Sequence, residues 1–112
     1  MKLAEIIEGL SLETFGAEAS DAEVTGGYVG DLLSHVLSSA GPGDLWITIQ
    51  HHANVLAVAQ VVGLSGILLA DGRTPDEDVR RKAAEAGLPL LGSTRSAFEL
   101  SAALSEFLAA RR

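Results

Sequence analysis

No cysteine occurs in the 112 residues of this chain. Its absence removes disulfides, thiol nucleophiles and thiolate metal sites together, and fits a reducing cytoplasm. Lysine is almost as scarce: Lys2 and Lys82 stand among 8 bases that face 15 acids, for a net charge of −7. No basic stripe alternates with aromatic residues, so a nucleic-acid backbone finds no counterpart here. An anionic membrane surface is disfavoured for the same reason. Aromatic residues are limited to Phe15, Tyr28, Trp46, Phe98 and Phe107, which leaves the core to Leu, Val, Ile and Ala. The most apolar stretch, residues 55–70, is broken by Gln60, Gly63, Ser65 and Gly66. It falls short of the roughly 20 residues that span a bilayer. Near the start, Glu5 and Glu8 interrupt the apolar run that a signal peptide requires. The expectation is a soluble cytoplasmic protein without a nucleic-acid or membrane partner.

What is present is apolar and evenly spread. An apolar share of 47% and a mean hydropathy of +0.28 describe a buried globular chain, whereas disorder combines low hydrophobicity with high charge. The length suits one domain, 1–112. Residues 1–22 read as an N-terminal helix, a short strand and a loop, and 23–112 as repeated strand-helix units. Leu3, Ile6, Ile7 and Leu10 have the spacing of an amphipathic helix. Residues 12–15 read as a short strand, paired with the sheet or with a second subunit, and 16–22 as a polar loop. Residues 24–29 are β-prone but contain Gly26 and Gly27, which predicts a bulge or a backbone that something approaches closely. Asp31 stands where an N-cap or first-turn acid belongs, for a helix to about Ala40 with Leu32, Leu33, Val36, Leu37 and Ala40 on one face and His35 on the other.

Residues 45–49 and 66–70 read as buried strands. Residues 54–62 are apolar nearly all round and predict a helix buried beneath the domain or in a dimer interface. In Thr74-Pro75-Asp76-Glu77, Thr74 is the expected cap, Pro75 the first helical position and Glu77 the partner of a capping box. Residues 89–91 make a further strand. Ser96 and Glu99 form a second capping box, opening a last helix with Leu100, Ala103, Leu104, Phe107 and Leu108 on one face. Repeated strand-helix alternation after residue 24 implies parallel strands with right-handed crossovers. The fold expected is α/β: a single three-layer domain, its mostly parallel sheet flanked by helices.

In such sheets ligands bind at the carboxyl ends of the strands. The segments expected there are 25–31, 50–54, 71–74 and 92–96. They carry the candidate ligand-binding residues: Thr25, Gly26, Gly27, Gly30, Asp31, Gln50, His51, His52, Asn54, Gly72, Arg73, Thr94 and Arg95. Arg73 and Arg95 each sit beside an expected helix start, and both features favour anions; the alternative is that they only balance an acidic surface. His51 and His52 are adjacent, so they point different ways and do not have the spacing of two ligands to one metal. One of them serves acid–base chemistry, or both belong to a solvated strand end whose Asn54 caps the next helix. The Thr25-Gly26-Gly27-x-x-Gly30 run lacks the G-x-G-x-x-G order of a dinucleotide loop. No P-loop occurs, and Ser65 lacks the neighbours of a nucleophile elbow. No catalytic residue, metal site or cofactor is assigned.

Val24-Thr-Gly-Gly-Tyr-Val-Gly-Asp-Leu-Leu33, Asp44-Leu-Trp-Ile-Thr-Ile-Gln50 and Gly66-Ile-Leu-Leu-Ala70 resemble a stand-alone DRTGG domain. The likeness continues through Pro75-Asp-Glu77, Gly87-Leu-Pro-Leu-Leu91 and Ser96-Ala-Phe98, and so covers nearly the whole chain. Of the family's name motif, Thr25, Gly26 and Gly27 are kept, while Glu23 and Val24 replace Asp-Arg. Such domains occur in prokaryotic CBS-domain pyrophosphatases and phosphotransacetylases, and are similar to the N-terminal domain of HPr kinase/phosphorylase. The resemblance implies an α/β fold, a homodimer, and a regulatory module with a protein partner in a redox or phosphotransfer pathway. The function expected is regulation or assembly through protein contacts, with sensing of a small anionic ligand. The alternative is a small enzyme, or a metal or nucleotide sensor, using His51, His52, Asn54 and the 25–30 loop.

Overall fold

The computed structural model describes residues 1–18 and 21–110. Its elements are α1 (Leu3–Leu10), β1 (Glu13–Thr14), β2 (Gly26–Val29), α2 (Leu33–Ser39), β3 (Asp44–Thr48), α3 (Asn54–Val62), β4 (Gly66–Leu69), α4 (Glu77–Glu85), β5 (Leu90–Gly92) and α5 (Ala97–Ala109). The strands form one sheet in the order β1-β5-β4-β3-β2. From β5 to β2 all neighbours are parallel, and β1 runs antiparallel beside β5. Residues 12–15 thus join the chain's own sheet, through Glu13 and Thr14. The loop expected over 16–22 includes residues 19 and 20, which lie outside the described residues.

The alternation of side chains along each strand makes two cores. Trp46, Ile67, Leu69 and Leu90 point to one face, where Val36 of α2, Val55, Leu56, Val58 and Ala59 of α3 and Val79 and Ala83 of α4 cover them. Leu45, Ile47, Leu68 and Leu91 point to the other, under Leu3, Ile6 and Leu10 of α1 and Leu100 and Leu104 of α5. A strand buried on both faces is apolar throughout, which is why β3 and β4 stand out in the sequence. Helix, sheet and helix form the three layers expected. Among the described residues, no helix is long and apolar enough to cross a membrane.

Several local expectations need correcting. Asp31 does not cap α2; Leu32 occupies that position, and the Asp31 carboxylate is used elsewhere. Leu32 and Leu37, expected on the buried face of α2, are 59% and 48% exposed, because this short helix buries only Val36 fully. Asn54 is the first residue of α3 and not its cap, which falls on Ala53. The apolar surface of α3 goes into the chain's own core, leaving Val61 exposed. At α4 the cap is Asp76, whose side chain accepts from the Val79 N–H at 3.0 Å, so Thr74 and Pro75 precede the helix. The capping box of Ser96 and Glu99 at α5 forms as read. No bulge interrupts β2, which pairs residue for residue with β3 from Gly26 to Val29. The close approach is real: a Cβ on Gly27 would lie 2.9 Å from Leu104 Cδ2 of α5.

Candidate functional site

Parallel strands bring the loops after β2, β3, β4 and β5 to one edge of the sheet, as expected. That carboxyl edge has two unlike halves. In the first, after β2 and β3, one Asp31 carboxylate oxygen accepts from the Thr48 hydroxyl at 2.8 Å and from the Ile49 N–H at 3.0 Å. The Gln50 side-chain amide donates to the Asp31 carbonyl at 3.1 Å, and the Gln50 N–H donates to the Thr48 hydroxyl at 3.1 Å. One step below, the Trp46 indole N–H donates to the Gly30 carbonyl at 2.8 Å. Thr48 is 1% exposed, so its hydroxyl must be satisfied inside the protein. Asp31, Thr48 and Gln50 therefore latch the β2–α2 loop to the end of β3. His51 and His52 follow, their rings stacked with centroids 4.6 Å apart. His51 is half-buried beside the Ile49 carbonyl, while His52 and Asn54 are exposed.

In the second half the backbone makes the ties. Asp71 and Gly72 take positive φ values of 58° and 69°, which turns their N–H groups toward the neighbouring loop. Asp71 N–H donates to the Arg95 carbonyl at 2.8 Å and Gly72 N–H to the Ser93 carbonyl at 2.9 Å. The loops after β4 and β5 are thus laced side by side, with Asp71, Gly72, Arg73, Thr94 and Arg95 all exposed.

The two arginines are singular among the described residues. Lys2 pairs with Glu23, Lys82 with Asp78, and Arg81 with Asp78 and Glu85. Arg80 lies over the Phe15 ring at 4.7 Å. Among the described residues, only the guanidiniums of Arg73 and Arg95 lack an ion pair, a hydrogen bond or a ring contact. The start of α5 beside them is already occupied. Ser96 N–H and hydroxyl both meet the Glu99 carboxylate at 3.1 Å, and the Ser96 hydroxyl accepts from Glu99 N–H. The Ser96 backbone N–H, then its hydroxyl, hold the Glu99 carboxyl below the usual carboxylate range, with a smaller pull from Arg95.

Gly30, Asp31, Gln50, His51, His52, Asn54, Gly72, Arg73, Thr94 and Arg95 thus share the carboxyl edge. Thr25, Gly26 and Gly27 do not. Thr25 precedes β2 at the opposite, amino edge, where its N–H donates to the Gly43 carbonyl at 3.0 Å. A Cβ on Gly26 would lie 2.7 Å from an Asp44 carboxylate oxygen. Gly26 and Gly27 also floor a groove of about 270 Å³ between β2 and α5, walled by Leu104, Ser105 and Leu108. The Thr-Gly-Gly run therefore lies on another part of the molecule from the histidines. Phe98, which the sequence leaves out of the apolar stripe of α5, is 82% exposed on the first turn of that helix.

No family model matches the chain, and no curated protein matches its sequence. Among solved structures, it is similar to the crystal structure of the CBS and DRTGG domains of the regulatory region of Clostridium perfringens pyrophosphatase, complexed with activator, diadenosine tetraphosphate. The identity is 17% and the TM-score 0.72, over 92% of this chain. The match spans 45% of that chain's length. The likeness is one of fold: the architecture is DRTGG-like.

Proposed function

We propose that this chain is a DRTGG-type regulatory domain that senses a small anionic ligand across the carboxyl edge of its sheet. One observation carries the reading: in a chain of net charge −7, the two described guanidiniums without an ion pair, hydrogen bond or ring contact stand on two loops laced together at that edge. Guanidiniums recognise phosphate and carboxylate oxygens through paired N–H donors. The solved neighbour supports the reading, since it comes from a regulatory region and holds a polyphosphate activator. Binding is favoured over catalysis because no nucleophile, orienting base and oxyanion donors converge among the described residues.

Thermal unfolding with a panel of nucleotides, sugar phosphates and acetyl phosphate tests this. A ligand at about 100 times its Kd stabilises the folded state by about 2.7 kcal/mol. The expected result is a raised Tm with at least one anion, abolished in the Arg73→Ala/Arg95→Ala double variant. A flat panel overturns the reading.

A bound ligand would be read out through protein contacts, in a homodimer and with a partner in a redox or phosphotransfer pathway. For the homodimer, the favouring observation is β2, an edge strand without charge or proline and with Val29 48% exposed; edges of this kind pair readily with a second chain. Light scattering at micromolar concentration should give a dimer that Val29→Lys dissociates. A monomeric wild-type chain refutes it.

A further inference from the structure

We infer that the anion held at the carboxyl edge is a nucleotide, and that the exposed ring of Phe98 is the face on which its base stacks. The inference rests on the reading of Arg73 and Arg95 as anion ligands. At 82%, Phe98 is more exposed than Val61, Leu32, Val29 or Leu37. The helix that carries it gains no packing from it: α5 is held down by Leu100 and Leu104, which are 0% and 2% exposed. Its first turn is closed by Ser96 and Glu99. Covering an apolar ring of this size removes it from water, which is favourable.

Its position says what would cover it. Phe98 follows Arg95 by three residues, and helical side chains lean toward the N-terminus of their helix. Phe98 thus stands on the first turn after the loop of Arg95, which the Asp71–Arg95 and Gly72–Ser93 hydrogen bonds tie to the loop of Arg73. Thr94, exposed between them, offers a hydroxyl that makes no hydrogen bond among the described residues. An exposed aromatic ring and two guanidiniums without an ion pair or hydrogen bond among the described residues, on adjoining segments, match both ends of a nucleotide, the base by stacking and the phosphates by charge. A bare phosphate or carboxylate would use the guanidiniums and leave the ring idle. An apolar partner would use the ring and leave two desolvated cations.

Calorimetric titrations with ATP and with inorganic tripolyphosphate, without added divalent cation, separate these cases. The wild-type chain should bind ATP at least about tenfold more tightly than tripolyphosphate, the order expected of one base on one ring. Phe98→Ala should remove that margin and leave tripolyphosphate binding unchanged, while Phe98→Trp restores it. Because the ring is exposed, circular dichroism should show both variants folded. An ATP preference that survives in Phe98→Ala overturns the role of Phe98. Equal binding of the two probes overturns the nucleotide and leaves the anion reading intact. Binding of neither overturns both.

Discussion

The two halves of the carboxyl edge are built from similar residue types and used in opposite ways. After β2 and β3 the side chains bond to one another: Asp31 takes Thr48 and Ile49, and Gln50 returns to Asp31. After β4 and β5 the backbone does the tying, through Asp71 and Gly72 to Arg95 and Ser93, and the guanidiniums are left over. Polarity at a loop therefore does not mark a ligand site. A polar side chain whose hydrogen-bonding capacity is already used belongs to the fold, and one left without a partner is available to a ligand. The two halves should separate under mutation, the first losing stability and the second losing binding.

The largest effect belongs to Asp31→Ala. It leaves the hydroxyl of Thr48, 1% exposed, and the Ile49 N–H without their acceptor. An unmet buried polar group costs about 1–3 kcal/mol, so urea unfolding should shift by that amount while anion binding is retained. A shift under about 0.5 kcal/mol, the size of an ordinary surface substitution, would break the comparison. Ser96→Ala should cost about 1 kcal/mol, the usual loss of an N-cap. It lies in the second half, one residue from Arg95, so it sharpens the contrast between a capping side chain and a free one within a single loop.

Much of this was legible in advance, for reasons the structure makes plain. β3 and β4 are apolar because both faces are covered, and the strand-helix alternation that follows dictates parallel pairing. The loops were less legible. Asp31 before a helical pattern looks like a cap, and only the buried Thr48 on the next strand, 17 residues away, decides otherwise. Thr74 and Asp76 offer overlapping caps, and Asp76 wins by reaching the Val79 N–H while Pro75 is buried ahead of the helix. The Thr-Gly-Gly run reads as a ligand loop because glycine permits close approach to anything. What approaches is Leu104 of α5 and the carboxylate of Asp44. The lacing of Asp71 to Arg95 is carried by backbone atoms, which the residue types do not specify.

A smaller effect follows from Glu99. Its carboxyl is held below the usual range by Ser96, so the folded chain binds a proton there less readily than the unfolded chain does. The stabilisation is complete above the ordinary carboxylate range and is lost as pH falls through the lowered value. Glu99→Gln keeps a hydrogen-bonding partner for the Ser96 N–H but cannot ionise. The stability difference between wild type and Glu99→Gln should therefore be greatest near neutrality and close on acidification. A gap that widens toward low pH would reverse the sign and contradict the assignment.

The smallest effect on stability is the most informative. Arg73 and Arg95 are exposed and take part in no ion pair or hydrogen bond through their side chains among the described residues. Replacing both by alanine should leave urea unfolding within about 0.5 kcal/mol of wild type, as for surface sites away from structural features. If the double variant instead unfolds much more easily, the guanidiniums are part of the fold and the two halves of the edge do not differ in kind. Unchanged stability together with lost anion binding would establish that this half is held together by its backbone and keeps its cations for a ligand.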